Sequence, residues 1–385
     1  MKTSAIVIFI TIVTLIYILI NFYIYYRAVQ AFPPRSVTGT WFTILFWIIA
    51  STFVVARILE RTWSCHVTEA ITWIGSFWLA YMLYFFLIVL VLDLTRLIDH
   101  FFHIYPASFY TDYQKTKLIT FWAAIAAVTL VVLVGYINAR IPVIRALDIA
   151  ILKKVERFKT LRITLASDIH MGTIIRKDKT SGLVDRINRT NPDLILFAGD
   201  VIDEDIAPVI RFNIGASLRQ LKAPLGVYAI TGNHEYIGGI GSAVKYLSEH
   251  GIRMLRDTVE MIGECIYLIG REDRDKQRFT GKSRKSLSEL VSGLDPSYPI
   301  ILLDHQPFHL NQTTRLGIDL SISGHTHHGQ LWPFTYITNA IYEISQGYKK
   351  IGNTHFYVSC GYGTWGPPVR LGNRPEIVVL NITFN

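Results

Sequence analysis

Five polar clusters in the last two-thirds of the chain hold residue types suited to metal chemistry. They are Asp168-Ile169-His170, Gly199-Asp200-Val201-Ile202-Asp203, Gly232-Asn233-His234-Glu235, His305, and Gly324-His325-Thr326-His327-His328-Gly329-Gln330. Carboxylate and amide oxygens mixed with imidazoles suit Mn, Fe or Zn, and the absence of Cys among them argues against a structural zinc site. Side chains two residues apart in an extended turn point the same way, so Asp168 with His170, and His325 with His327, can each grip one ion. The seven candidate ligands, Asp168, His170, Asp200, Asn233, His305, His325 and His327, are too many for one tetrahedral ion and suit two ions sharing a carboxylate. Two cations about 3.5–4 Å apart form the clamp that stabilises attack and departure at phosphorus. Taken singly, each cluster has an ordinary reading: a chance pair, a turn, a hydrogen-bonded histidine, a His-rich surface loop. Their order and shared position, each directly after an apolar run, point to a site.

The elements that must position these residues are legible as short apolar runs ending at Gly, Ser or Asp. The runs are 143–151, 161–167, 193–199, 226–232, 265–270, 300–304, 319–324, 356–360 and 376–382. Such runs suggest buried strands, and helical patterns at about 180–190, 207–221, 240–250 and 285–292 lie between several of them. The alternation predicts a layered α/β architecture of two packed sheets with helices outside. In such sheets ligands collect beyond the carboxyl ends of strands, where all five clusters lie. Segment 271–285 has no apolar period and is expected to be a mobile loop. It carries seven cations (Arg271, Arg274, Lys276, Arg278, Lys282, Arg284, Lys285) against three acids.

The first third has a different texture. Four stretches, about 3–26, 40–56, 70–92 and 118–137, are apolar enough to cross a bilayer, which takes about 20 residues. Tyr and Trp gather near several of their ends, as an interfacial belt would. The first stretch is too long for the core of a signal peptide and lacks a small-residue cleavage site, so it is expected to be retained. No ionisable residue lies within the spans and no internal repeat is visible, which suits an anchor better than a transporter. Of the 385 residues, 51% are apolar and only 17% charged, which excludes a disordered chain. The net charge of +9 belongs mostly to residues 1–160, with 14 Lys and Arg against 7 Asp and Glu. That placement fits attraction to anionic lipid, and no nucleic-acid partner is expected. Four spans put eight cations (Lys2, Arg57, Arg61, Arg140, Arg145, Lys153, Lys154, Arg157) on one side and five (Arg27, Arg35, Arg96, Lys115, Lys117) on the other. The positive-inside rule then favours a cytoplasmic C-terminal domain on an integral multi-pass membrane protein. Three cysteines without a CxxC pair give no disulfide framework.

The order DIH, GDVID, GNHE, H, GHTH resembles the calcineurin-like metallophosphoesterase superfamily over about 160–335. The tail GYGTWGPPVRLGNRPEIVVL, with GHTHHGQLWP, is similar to its membrane-anchored branch. That branch includes bacterial membrane-associated phosphodiesterases, enzymes of the UDP-2,3-diacylglucosamine pyrophosphatase kind and the vertebrate transmembrane protein with metallophosphoesterase domain. The resemblance implies an all-α transmembrane bundle over 1–140 followed by a four-layer metallophosphoesterase sandwich over 141–385. It implies two divalent ions, one held by Asp168, His170 and His327, the other by Asn233, His305 and His325, with Asp200 shared. It also gives His234 the place of the general acid and Asp203 that of the carboxylate orienting it. The protein phosphatases of the superfamily carry Arg where Glu204 stands here, so protein phosphatase activity is not expected. His328, where relatives often have Gly, is assigned to the substrate rim with Arg271 and Lys282.

The leading expectation is a membrane-anchored hydrolase that cleaves a phosphoester or pyrophosphate bond with a hydroxide shared by two cations, on a lipid or lipid-linked substrate. Its partners would be that phosphorylated substrate and membrane lipids. The alternatives are a phosphodiesterase for soluble nucleotides, with the helices as anchor only, and a catalytically silent metal-binding scaffold.

Overall fold

The computed structural model describes residues 3–62 and 65–385. Its contacts divide the chain into two compact units, Met1–Tyr136 with Gly366–Val369, and Ile137–Trp365 with Arg370–Asn385.

The first unit is built on long apolar helices, Thr3–Val29, Val37–Thr62, His66–Phe102 and Tyr113–Arg140, the last running into the second unit, with a short helix at Ser108–Thr111. All four are long and apolar enough to span a membrane. Their outward positions stay apolar, with Ile8, Leu45, Leu130 and Val134 exposed, as lipid rather than water requires. The third helix has 37 residues and runs past the expected end at 92. At 1.5 Å per residue it is about 55 Å long, well beyond a hydrocarbon core of about 30 Å. Residues 93–102 stay helical because Asp93 and Arg96 pair one turn apart, 3.1 Å between atoms. The helix ends where His103 turns left-handed and donates its N–H to the Asp99 carbonyl. Between helices, Ile24, Phe46, Ala50 and Trp78 pack together. Buried Asn21 accepts from Trp78 Nε1 at 3.0 Å, and the Tyr17 hydroxyl donates to the Ala50 carbonyl at 2.6 Å. Hydrogen bonds of this kind help to hold helices together in lipid.

The second unit contains twelve strands: β1 (Val143–Ile151), β2 (Thr160–Ala166), β3 (Leu194–Phe197), β4 (Val227–Ala229), β5 (Arg253–Met254), β6 (Thr258–Ile262), β7 (Ile266–Gly270), β8 (Ile300–Leu303), β9 (Leu320–Ser323), β10 (Gly347–Ile351), β11 (Thr354–Val358) and β12 (Glu376–Phe384). They form two six-stranded sheets, in the orders β1-β12-β2-β3-β4-β5 and β10-β11-β9-β8-β7-β6. β2, β3 and β4 run parallel in the first sheet, as β7, β8 and β9 do in the second.

The inner strands, such as β3, β4, β8, β9 and β11, are buried along their whole length because both faces are covered. Leu194, Leu196 and Ala198 point inward with Ile163 and Leu165, against Leu268, Ile301, Leu303 and Ile322 of the other sheet. Ile195 and Phe197 point outward, onto Leu183, Val184 and Ile187 of helix Lys177–Arg189 and Leu247 of helix Ile240–Glu249. On the far side Ile300 and Leu302 meet Leu287 and Leu290 of helix Leu287–Val291. The result is helix, sheet, sheet, helix, the four layers expected. At about 25 cal/mol per Å² of apolar area, these doubly covered strands supply most of the unit's stability.

Segment 271–285 departs from the mobile loop expected of it. It contains the helix Lys276–Thr280, and its charges are tied to the neighbouring structure. Asp304 takes Arg271 at 2.8 Å and Arg284 at 2.7 Å. Asp257 takes Lys276 at 3.0 Å and accepts from the backbone of Glu272 and Lys285. The acids that fix the segment lie outside it in sequence, so it reads as solvated when taken alone.

Candidate metal centre

The site begins where strands stop. β2 delivers Asp168 and His170, β3 delivers Asp200 and Asp203, and β4 delivers Asn233 and His234; from the second sheet, β8 delivers His305 and β9 delivers His325 and His327. Backbone hydrogen bonds continue past the strand ends and lock the first two loops together. Asp168 N donates to Gly199 O, His170 N to Asp200 O, and Asp203 N to Met171 O, each at 3.0 Å. Gly199 has φ 92°, and a Cβ there would sit 2.6 Å from His305 Nδ1, so only glycine fits. Asp168, His170, Asp200, His325 and His327 all adopt left-handed backbone, with φ between 45° and 72°. Non-glycine residues hold that conformation only when their surroundings impose it, at a cost of order 1–3 kcal/mol each.

The side chains form two adjoining groups. In the first, ligand atoms of Asp168, His170 and His327 lie within 4.8 Å of one another, with His170 Nε2 and His327 Nε2 3.0 Å apart. In the second, Asp200, His305 and His325 lie within the same limit, and Asn233 Oδ1 sits 2.9 Å from His325 Nδ1. Asp200 Oδ2 is 3.1 Å from His305 Nε2 and 3.9 Å from His170 Nε2, so it stands between the groups. Beside them, His234 Nδ1 meets Asp203 Oδ1 at 2.9 Å, and the His234 and His170 rings meet edge to face with centroids 4.5 Å apart.

His305 tests whether these residues fit a cation. Its Nδ1 donates to the Ala198 carbonyl at 2.7 Å, which fixes the ring and turns Nε2 toward the other ligand atoms. That Nε2 is fully buried with no hydrogen-bond partner, although it faces Asp200. A buried imidazole anchored by a carbonyl, with its other nitrogen aimed at a carboxylate oxygen, is the outer support that metal-binding histidines use. An orphaned buried polar atom otherwise costs about 1–3 kcal/mol. The donor set of Asp, Asn and His suits divalent cations.

Within the protein alone, charge is distributed unevenly over the cluster. Burial and the neighbouring His305 press His325 down to about 3. Burial, His170 and Arg370 hold His327 well below its usual range. Both rings are therefore neutral at pH 7, with lone pairs available. Burial also opposes a charged His234, but Asp200 and Asp203 outweigh it and raise His234 to about 9. Burial pushes Asp203 up, and its hydrogen bonds with His170 and His234 overcome this and hold it well below the carboxylate range. His234 thus carries a proton at neutral pH beside a carboxylate that stays ionised.

Three residues assigned to the rim are placed differently from one another. His328 Nδ1 is bonded to Ser345 Oγ at 2.6 Å and, among the described residues, belongs to neither ligand group. The side chain of Arg271, 12% exposed, is committed to Asp304. Lys282 is exposed.

Other residues of the site carry no ligand signature in the sequence. Glu235, 1% exposed, accepts from the backbone N–H groups of Asp200, Ile202 and Gly232 at 3.1, 2.9 and 2.8 Å, and so ties the β3 and β4 loops together. Burial and the Asp200 charge raise it to about 7. Arg370, fully buried, donates to the carbonyls of Cys360 and Gly363 at 2.8 Å, and its Nη2 lies 3.2 Å from His327 Nδ1. Glu235 stands in the GNHE cluster, but nothing in that motif tells that it holds the backbone of the β3 loop. Arg370 has only the tail motif. The Trp365 ring lies 6.1 Å from that of His234, and Tyr342 lies 6.1 Å from His325, giving the site an aromatic margin.

The model of the calcineurin-like phosphoesterase family matches residues 161–329, the stretch that runs from β2 through the last histidines. An uncharacterized metallophosphoesterase of Aquifex aeolicus is 31% identical over 232 residues, covering 60% of this chain and 88% of that one. The chain belongs to the calcineurin-like phosphoesterase family. An uncharacterized metallophosphoesterase of Helicobacter pylori is 35% identical over 229 residues, 58% of this chain and 60% of that one, so the chain spans under two-thirds of that relative's length. The transmembrane protein with metallophosphoesterase domain of Bos taurus is 31% identical over 285 residues, 69% of this chain and 64% of that one. On this chain the calcineurin-like phosphoesterase domain is joined to four helices long and apolar enough to span a membrane.

Proposed function

We propose that this phosphoesterase is anchored by its four helices and hydrolyses a phosphodiester or pyrophosphate bond on a lipid or lipid-linked substrate. The observation that carries the reading is the pair of ligand groups, Asp168/His170/His327 and Asp200/His305/His325, standing beside the His234–Asp203 pair. The apolar helices on the same chain, and membrane-protein relatives with the same domain, support a substrate drawn from the bilayer. Eight cations against five favour a cytoplasmic face for the hydrolase.

Two divalent ions, when bound, would supply positive charge at the phosphoryl oxygens and acidify water at neutral pH. Asp168, His170 and His327 would hold one, and His305, His325 and Asn233 the other, with Asp200 shared. His305 is oriented by its bond to Ala198 and needs no rearrangement to present Nε2. His234 is held through Nδ1 by Asp203, which leaves Nε2 to carry the transferable proton to the leaving oxygen. Asp203 fixes the ring and keeps it protonated until the bond breaks. Trp365 and Tyr342 would bound the leaving group and limit water.

Purified full-length protein with Mn²⁺, assayed on bis(p-nitrophenyl) phosphate and on phospholipids or lipid pyrophosphates in mixed micelles, tests both parts. Turnover of the aryl diester supports the two-metal site. Preference for micellar over soluble nucleotide substrates supports the lipid reading, and the reverse preference overturns it.

A further inference from the structure

The helical unit contains a cavity of about 540 Å³ whose body is apolar, lined by Phe42, Phe46, Trp78, Phe85 and Phe121 among others, and whose margin carries Arg27, Asp93, Arg96 and Lys117. A second pocket of about 440 Å³ shares Gln30, Phe32 and Lys117 with it and adds Arg35, Ser36, Thr40 and Gln114. Four of the five cations in the connectors and helix ends of that side, Arg27, Arg35, Arg96 and Lys117, therefore line one or other of two adjoining spaces. Asp93 is the acid at the cavity margin. It takes the Tyr23 hydroxyl at 2.6 Å, Arg27 Nε at 2.8 Å and Arg96 Nη1 at 3.1 Å. One carboxylate among three cations leaves the margin two charges positive. Lys117 Nζ lies 4.5 Å from the centre of the Tyr113 ring.

We propose that the two spaces form a binding site for an anionic phospholipid, with acyl chain in the aromatic cavity and phosphate headgroup among Arg27, Arg96 and Lys117 and the Arg35, Ser36 and Thr40 side of the second pocket. An apolar volume of several hundred Å³ with a few convergent polar groups is the form of a small-molecule site. Ionisable groups in membrane helices pair with partners of opposite sign, and Arg and Lys make strong charge-assisted hydrogen bonds to phosphate oxygens. The occupant comes from the bilayer because the residues around the cavity, Trp41, Leu45 and Trp122, are themselves exposed on apolar helix faces. The site is built from the helical unit alone and is independent of the phosphoesterase chemistry.

The test uses the full chain, delipidated in detergent and incubated with equimolar phosphatidylglycerol and phosphatidylcholine, with retained lipid read by native mass spectrometry. The expected result is one retained phosphatidylglycerol per chain, preferred about tenfold, as one or two cations near an anionic group would give. Lys117→Gln should reduce the preference about fivefold while a lipid is still retained. Ala124→Phe or Ala28→Leu, which fill the cavity, should lose retention of either lipid. Matched thermal unfolding and unchanged hydrolysis of bis(p-nitrophenyl) phosphate control for folding in each variant. Equal retention of both lipids, or retention indifferent to all three variants, shows ordinary boundary lipid and overturns the site. Displacement by soluble glycerol phosphate as readily as by phosphatidylglycerol assigns the cations to a free anion and overturns it too.

Discussion

Two polar clusters, one in each unit, differ in the partner that would complete them. In the α/β unit, ligand atoms of seven residues crowd together, and His305 Nε2 has no hydrogen-bond partner. In the helical unit, Arg27 and Arg96 already share Asp93, and Lys117 adds a further cation to the margin of the same cavity. Charges in a low-dielectric setting interact strongly and are costly when unmatched. The first cluster would be completed by cations and the second by the anion proposed for it. A protein can place both on one chain because each cluster is set by its own local framework: strand-end loops in one, helix ends in the other.

The contrast breaks most sharply at the shared carboxylate. Asp200→Asn should remove several kcal/mol of transition-state stabilisation, roughly 10⁴-fold in kcat/KM, and lower the metal content measured by plasma emission. Lipid retention by the helical unit should not change. A variant with two tightly held ions and near-normal rate would falsify the assignment. His234→Ala should keep its metals and lose about 10²–10⁴-fold in rate. The loss should shrink for p-nitrophenolate, which leaves without a proton, so equal losses for aryl and alkyl esters would remove His234 as the donor.

Glu235→Ala sharpens a different point, the difference between a ligand and a support. It strands three buried N–H groups, each worth about 1–3 kcal/mol, and should lower the unfolding temperature of the α/β unit as well as its metal content. An unchanged melting profile would show that the β3 and β4 loops hold themselves. The smallest effect belongs to segment 271–285. Lys282→Gln with Lys285→Gln should raise the apparent KM for an anionic lipid substrate only at low salt, by a few-fold. Arg284→Gln should instead destabilise the unit, because Asp304 then keeps only Arg271 and the Glu272 carbonyl loses its donor. If the lysine pair changes KM equally for a soluble diester, the segment is no collar for lipid.

Much of this architecture is readable in the sequence because its inner strands are short apolar runs that end in chemistry. VIRALDIAI fills β1 from Val143 to Ile151, and each predicted ligand follows a run that is in fact a strand. What escapes reading is amphipathic or very short. β5 has two residues, and the outermost strands β6 and β10, TVEMI and GYKKI, carry the polar side chains that edges require, so neither resembles its buried neighbours. Helix 207–221 proves to be a short α-helix, Ala207–Arg211, followed by a tighter one, Ile214–Gln220, with left-handed Asn213 between them. Glu235 and Arg370 are silent for another reason. Their partners are backbone groups brought from other loops, and no spacing rule encodes that.

The left-handed backbone at Asp168, His170, Asp200, His325 and His327 has a consequence for how such a site can arise. Asp, Asn and His are the non-glycine residues that enter this conformation several-fold more often than others, and they are also the residues that bind hard and borderline cations. Selection for a tight turn after a strand and selection for a ligand thus draw on one small alphabet. A library randomised at these five positions and sorted only for folding should already be enriched in metal binders, before any catalytic sieve is applied. The path from a bare strand end to a catalytic one is accordingly short.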